Sequence, residues 1–251
     1  MKKSFGHTSV LALTLVSACL LGCKFSGASS TSTSSGSSNS SNSSSSRSSS
    51  ARTAVAPPNI AGKYNVTGSN PNGSNYRGTL EVIAHGDVYQ FRWNAGTQYD
   101  GVGVQNGNIV AVAFANGPNG KGCGVVDYDI QSDGALDGKW GYWGTNEAGT
   151  ETATRTSGSS LAGEYDGTGK NPSGTTYKVK ITVEPAGNLY HFVWSNNTEG
   201  TGIKRGDNVA VGIGGSRCGF VTYEVQSDGS LDGLWGGGGS DKTGTEKALK
   251  Q

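Results

Sequence analysis

The feature that most constrains the fold is an internal repeat with a period of about 100 residues. Ile-Ala-Gly-Lys-Tyr at 60–64 returns as Leu-Ala-Gly-Glu-Tyr at 161–165. The segments 131–140 and 226–235 share Gln-Ser-Asp-Gly-x-Leu-Asp-Gly-x-Trp. Repeats of this length correspond to whole domains and not to the short units of a solenoid. We therefore predict two tandem homologous modules, module 1 at 59–157 and module 2 at 160–251.

Each module has the pattern of short antiparallel strands joined by tight turns. Glycine accounts for 42 of the 251 residues, and Gly-Asp, Asn-Gly and Asp-Gly pairs separate runs of β-branched and aromatic residues. Tyr89, Phe91 and Trp93 lie two residues apart, so one face of that strand is apolar. We predict an all-β fold in which about eight strands per module close into a small up-and-down meander barrel. A two-sheet β-sandwich is the alternative.

The first 58 residues differ in composition from the repeat. Residues 1–22 combine two lysines near the start with a mostly apolar run at 10–21, which is typical of a secretory signal peptide. Residues 23–58 are dominated by serine and carry too little apolar surface to form a core. We predict that this second segment is a disordered tether in front of module 1.

The predicted signal peptide ends at a cysteine. Leu20, Leu21 and Gly22 precede Cys23, and this sequence resembles the lipobox of bacterial lipoproteins. The resemblance implies cleavage before Cys23 and attachment of acyl chains such as palmitate, which would anchor the protein to a membrane. A second lipobox-like sequence precedes Cys19, but cleavage there would leave two leucines unused. The residue after Cys23 is not the aspartate of inner-membrane lipoproteins, so the resemblance implies the cell outer membrane, on either face.

Two further cysteines, Cys123 and Cys218, occupy equivalent positions in the two modules. Export leads through an oxidising compartment, in which two remaining thiols can pair. In both modules the alternation of apolar residues directs the cysteine away from the core face. A disulfide that joins the modules is one interpretation, and two unpaired, partly covered thiols are the other.

Composition and motifs argue against several classes of function. Two of the 20 Lys and Arg belong to the signal peptide, so the remainder has no excess of positive charge with which to bind nucleic acid. No nucleotide-binding loop, nucleophile elbow or triad spacing is present, and we predict no enzyme activity and no cofactor. His85 and His191 are isolated, which predicts no metal site. Glu151 and Glu246 recur in Gly-Thr-Glu and are predicted to pair across strands or to close the barrel.

Most aromatic residues occur as matched pairs in the two modules. Such rings can fill a small barrel as its core, or they can line a cavity for a small hydrophobic ligand. Tyr142 and Trp143 have no aromatic counterparts, because Gly237 and Gly238 stand at those positions. We consider these two rings a contact patch or, alternatively, ordinary exposed aromatics.

The order of motifs in each module resembles that of a known bacterial domain family. An opening Gly-x-Tyr is followed by Asn-Pro-x-Gly-x-x-Tyr, Tyr-x-Phe-x-Trp and Asp-Gly-x-Leu-x-Gly-x-Trp. This order resembles exported domains described as "fibronectin-binding protein". The resemblance implies a surface adhesin for host, extracellular matrix or envelope proteins, and it carries no site residue. We predict a lipid-anchored binding or structural protein, with small-ligand binding inside the barrels as the alternative.

Overall fold

The computed structural model describes residues 57–120 and 122–251. The predicted signal peptide, Cys23 and most of the tether lie outside the described residues. The described part contains sixteen β-strands and a short 3-10 helix at Gly215–Arg217. The strands are β1 (Gly62–Ser69), β2 (Asn75–His85), β3 (Val88–Asn94), β4 (Gln98–Asn106), β5 (Ile109–Asn116), β6 (Gly124–Ile130), β7 (Leu136–Tyr142), β8 (Gly149–Ser159), β9 (Ala162–Lys170), β10 (Thr176–Ala186), β11 (Leu189–Trp194), β12 (Glu199–Arg205), β13 (Asn208–Ile213), β14 (Gly219–Val225), β15 (Leu231–Gly236) and β16 (Gly244–Lys250).

The strands form two closed antiparallel barrels of eight strands each, as the sequence predicts. Barrel 1 contains β1–β5 and β14–β16, and it closes where β1 pairs with β16. Barrel 2 contains the eight consecutive strands β6–β13, and it closes where β13 pairs with β6. Closure gives every strand two hydrogen-bonded neighbours, so neither barrel has an open sheet edge.

The barrels do not coincide with the sequence repeat, because the modules exchange their last three strands. Strands β6–β8 of module 1 complete barrel 2, and β14–β16 of module 2 complete barrel 1. The predicted boundary between the modules therefore lies inside barrel 2, at the turn between β8 and β9.

The connection between β8 and β9 explains this arrangement. The last paired residues of the two strands are Ser159 and Ala162, so only Ser160 and Leu161 connect them. Ser160 has φ of 58°, the left-handed conformation that tight hairpin turns require. A connection of two residues holds β9 directly beside β8, and the strands that follow β9 then build onto the same barrel.

Three apolar cores result. One fills the interior of each barrel, and the third lies between the two barrels. This inter-barrel core contains Val88, Val102, Val104, Ala111, Ala113, Cys123, Val125, Leu189, Ile203, Ala210, Cys218 and Phe220. The outer faces of several strands are thus apolar where the barrels meet, and the two barrels form one packed unit.

A disulfide between Cys123 and Cys218 lies within the inter-barrel core. Cys123 immediately precedes β6, where the chain has crossed from barrel 1 to barrel 2. Cys218 immediately precedes β14, where the chain has returned to barrel 1. The bond therefore joins the two crossovers, and the chain segment between the two cysteines contains every strand of barrel 2.

Candidate functional site: a carboxylate and an aromatic pocket in each barrel

Each barrel encloses one glutamate, Glu246 in barrel 1 and Glu151 in barrel 2. Both residues stand at the third position of a terminal strand of their module, β16 or β8, where alternate residues face inward. Their side chains are almost inaccessible to solvent, with 6% and 4% of their surfaces exposed. A buried carboxylate is costly unless hydrogen-bond donors compensate for the water that it loses.

Three side chains donate hydrogen bonds to Glu246. Tyr76 Oη lies 2.9 Å from Oε2, and Trp93 Nε1 lies 3.0 Å from Oε1. The Tyr223 hydroxyl also donates to Oε1. Charge-assisted bonds of this kind are stronger than bonds between neutral groups, and together they replace the lost hydration.

Glu151 has the equivalent partners in barrel 2. Tyr177 Oη lies 2.9 Å from Oε2, Trp194 Nε1 lies 3.1 Å from Oε1, and the Tyr128 hydroxyl donates to the same Oε1. Each set of partners combines side chains from both modules, since Tyr177 and Trp194 belong to module 2 whereas Tyr128 and Glu151 belong to module 1. The strand exchange thus makes both sites composite.

Burial and the neighbouring groups shift several pKa values at these sites. Burial raises the pKa of the Glu246 carboxyl, while hydrogen bonds from Tyr223, Trp93 and Tyr76 oppose that rise. The pKa of the Tyr76 hydroxyl is raised by burial and then by the nearby Glu246 charge. The pKa values of Tyr128 and Tyr223, which are fully buried, are raised well above the usual tyrosine value for the same two reasons. These phenols therefore keep their protons and remain hydrogen-bond donors.

A pocket open to solvent lies next to each carboxylate. The pocket in barrel 1 has a volume of about 250 Å³, and the pocket in barrel 2 about 330 Å³. Aromatic rings form much of both walls. The rings are Tyr76, Trp93, Tyr99, Phe114, Tyr223 and Trp235 in barrel 1, and Tyr128, Trp140, Tyr142, Tyr177 and Trp194 in barrel 2.

A tryptophan in the wall of each pocket has an indole N–H without a hydrogen-bond acceptor. Trp235 Nε1 in barrel 1 and Trp140 Nε1 in barrel 2 are buried and unpartnered. Each indole lies beside a tyrosine, Tyr76 or Tyr177, and offsets part of the rise in that hydroxyl's pKa. Neither N–H reaches hydrogen-bond geometry with the hydroxyl. Buried donors normally have partners. Both nitrogens are inaccessible to solvent, so a bound molecule could accept from one of them only after the indole moves toward the pocket.

Glycines on the terminal strands create the space for these two indoles. A Cβ atom at Gly149 would lie 2.2 Å from the Trp140 ring, and one at Gly244 would lie 2.6 Å from Trp235 Nε1. These distances are shorter than any van der Waals contact. The repeated Gly-Thr-Glu motif therefore has two functions: its glycine admits the indole, and its glutamate supplies the carboxylate.

In addition to Tyr76 or Tyr177, another ring packs against the unpartnered tryptophan of each pocket, and this ring differs between the barrels. In barrel 1 this ring is Phe114, which stands 6.3 Å from Trp235 between ring centres. In barrel 2 it is Tyr142, which stands 5.8 Å from Trp140. Phe114 comes from β5 and Tyr142 from β7, so non-equivalent strands fill the corresponding space.

The structure separates the two residues that the sequence suggested as a contact patch. Tyr142 lines the pocket of barrel 2, whereas Trp143 is partly buried against the inter-barrel core. Contact of either residue with an outside partner stays a prediction. The sequence did not identify the carboxylates as sites. The available signal was the recurrence of both glutamates in Gly-Thr-Glu, whose glycine leaves room for a tryptophan in each barrel.

Within 57–120 and 122–251, no three or more His, Cys, Asp and Glu side chains are grouped so that they could hold a metal ion. In the same part of the chain, no helix is long and apolar enough to cross a membrane.

Comparison with known proteins gives no further guide to the site. No family model, curated protein or solved structure matches this chain.

Proposed function

We propose that this chain is a binding protein whose two barrels each take up a small, mainly apolar molecule that carries one hydrogen-bond acceptor. The observation that carries the proposal is the aromatic pocket of each barrel, whose wall includes a tryptophan, Trp235 or Trp140, with a buried and unpartnered indole N–H. An acceptor on the ligand would satisfy this donor once the indole turns toward the pocket. The repetition of this feature in both barrels supports a common use. Ligand sites in proteins combine apolar walls with a few such polar groups.

The pocket dimensions and the carboxylate limit the ligand. The volume of about 330 Å³ lies at the lower end of the range for small-molecule sites and that of about 250 Å³ lies just below it, which favours a compact ligand. The rings provide flat walls for an aromatic or alicyclic body. Glu246 and Glu151 each already accept three hydrogen bonds, and we propose that they fix the rings in place rather than take part in catalysis.

Indole N–H resonances in ¹⁵N–¹H NMR spectra provide a direct test. The chain has five tryptophans, and Trp→Phe variants assign their signals. Acetophenone, a ring with one carbonyl acceptor, should shift the signals of Trp140 and Trp235. Cumene has the same shape without the acceptor, and it should cause smaller shifts at the same concentration.

Matched variants separate specific binding from general adsorption. Trp235→Phe should abolish binding in barrel 1 and leave the shift of Trp140 unchanged, because the two pockets are separate. Trp143→Phe alters a tryptophan outside both pockets and should leave both shifts unchanged. The proposal fails if neither Trp140 nor Trp235 responds to either compound while the spectrum is that of a folded protein.

We further propose that Cys23 bears the lipid and that the barrels act at the cell outer membrane, as the lipobox resemblance implies. Metabolic labelling with a palmitate analogue should mark the wild-type chain and not the Cys23→Ala variant. Adhesion to host or matrix proteins stays a prediction from the resemblance. Saturable binding of the chain to immobilised matrix proteins, above that of an unrelated lipoprotein, would support it.

A further inference from the structure

A second polar cluster lies away from the pockets, at the junction of the two barrels. Asp127 and Asp129 stand on the outer face of β6, since Val126 and Tyr128 point into the core of barrel 2. Asn106 at the end of β4 and Asn208 at the start of β13 complete the cluster. Asn106 Nδ2 lies 2.6 Å from Asp129 Oδ2.

Asn208 connects the two carboxylates. Its Nδ2 atom lies 2.6 Å from Asp129 Oδ1 and 3.5 Å from Asp127 Oδ2. Oxygen atoms of two separate carboxylates thus surround a single nitrogen position. Both asparagines and Asp129 are only half-buried, so solvent ions reach the cluster from the Asp129 side.

Asp127 is buried with only one long hydrogen bond, from Asn208, to compensate for its lost hydration. Its side chain is completely inaccessible, and Oδ1 has no hydrogen-bond partner. Lys139 stands opposite it on β7, but none of the ion pairs among the described residues joins the two. Two neighbouring acids therefore lack a counter-charge at this position.

The repeat supplies an internal comparison. The strand pairing matches Asn106 with Arg205 and Asp129 with Glu224. At that equivalent junction Arg205 Nη2 lies 3.1 Å from Glu224 Oε2 and 3.3 Å from Asp232 Oδ2. A guanidinium therefore neutralises the carboxylates on one side of the molecule, while the other side has an amide in the place of that cation.

We propose that a divalent cation, with calcium the best match, binds between Asp127 and Asp129 and replaces the charge that Arg205 provides at the equivalent junction. Carboxylate oxygens supply the negative charge that calcium prefers. The side-chain amides of Asn106 and Asn208 present oxygen instead of nitrogen when they rotate by half a turn, which adds two neutral oxygen ligands. Water and backbone carbonyls complete the six to eight ligands that calcium usually takes.

This site was not expected from the sequence, which contains no calcium-loop motif at this position. The ligands come from β4, β6 and β13, strands that the fold brings together from both modules. The inference is independent of the ligand pockets, because it uses none of their residues.

Calcium titration of the purified full chain, first stripped with EDTA, tests the proposal. We expect saturable binding of one calcium ion per chain by isothermal titration calorimetry. At free calcium about 100-fold above the dissociation constant, the melting temperature should rise by roughly 5–10 °C. Asp129→Asn and Asp127→Asn should remove both the binding and the shift, and neither should prevent folding, because each relieves repulsion between the acids.

Two matched variants distinguish a specific site from general ion effects. Asn106→Arg places at this junction the cation that the equivalent junction already has, so it should raise the melting temperature in EDTA and abolish the calcium response. Arg205→Asn should lower the melting temperature without creating a calcium site, since Thr222 stands in the place of Asp127 there. The proposal is overturned if wild-type chain shows no saturable calcium binding, or if the binding survives in Asp127→Asn and Asp129→Asn.

Discussion

Replacing Cys123 and Cys218 together by alanine tests how the two barrels depend on one another. The cysteines are 95 residues apart, and the segment between them contains every strand of barrel 2. In the chain-entropy account of cross-linking, a loop of this length restricts the unfolded state by about 4.7 kcal/mol at 25 °C. Alanine suits both positions, because the two cysteines are 1% and 2% exposed and lie among apolar side chains.

The loss should fall unequally on the barrels. The bond ties together the two ends of barrel 2, so unfolding of barrel 2 gains the full loop entropy once the bond is removed. Barrel 1 is different, because it consists of two chain segments, β1–β5 and β14–β16, that are joined through barrel 2. While barrel 2 is folded, the pairing of Gly124 with Ile213 already holds the ends of these segments close together. We expect barrel 2 to lose about 3–5 kcal/mol and barrel 1 to lose less than about 1 kcal/mol while barrel 2 stays folded.

Denaturant titration followed by the indole N–H signals measures the two barrels separately. Trp93 and Trp235 report on barrel 1, and Trp140 and Trp194 report on barrel 2. In the double variant the barrel 2 signals should disappear at lower denaturant than in the wild type. Equal losses for both barrels, or a loss below about 1 kcal/mol for barrel 2, would refute the reasoning that the bond acts on the ends of barrel 2.

Three further predictions concern the carboxylates and the topology. Glu246→Gln should lower the free energy of unfolding by about 1–3 kcal/mol in urea titrations, because an amide cannot accept from three donors; no loss would mean that the network contributes nothing. The raised pKa of Glu246 means that the folded chain holds this proton more tightly than the unfolded chain. Wild-type stability should therefore fall as pH rises above about 4.5, through the folded pKa, and the slope should be smaller in Glu246→Gln; identical pH profiles from thermal unfolding would contradict this. A fragment of residues 123–218 carries eight consecutive strands with a disulfide at its ends, and it should melt cooperatively by circular dichroism, whereas a disordered fragment would count against barrel 2 as an independent unit.

The sequence predicts the secondary structure and the closed barrels because both follow from local patterns. Alternating apolar residues such as Tyr89, Phe91 and Trp93 define the inward face, and Gly-containing pairs define the turns. The partners of each strand were harder to predict, because equivalent strands of the two modules have nearly the same pattern. The local signal for the strand partners was the short link between β8 and β9, because two residues, Ser160 and Leu161, permit only a hairpin between these strands.

The buried carboxylates were not predicted as a site for a related reason. Sequence alternation places Glu151 on the inward face of β8, but it does not show which donors meet it across the barrel. The tyrosine and tryptophan donors lie on strands far away in the chain, and Tyr177 and Trp194 even come from the other module. Only the closed topology brings these donors to within hydrogen-bond distance of the carboxylate.

The ring pair Phe114 and Tyr142 supplies a packing reason for the strand exchange itself. The Phe114 ring lies over Gly219, and the Tyr142 ring lies over Gly124, the equivalent glycine of module 1. If module 1 closed on its own strands, β5 would stand beside β6 and both rings would compete for the space over Gly124.

Module 2 would then have the opposite defect. It carries Ile213 and Gly237 at the corresponding positions, so the space over Gly219 would lack a ring. Overfilling one barrel and leaving a cavity in the other both cost stability. The exchange places one ring over each glycine, Phe114 over Gly219 and Tyr142 over Gly124, and this even distribution favours the observed pairing over two self-contained modules.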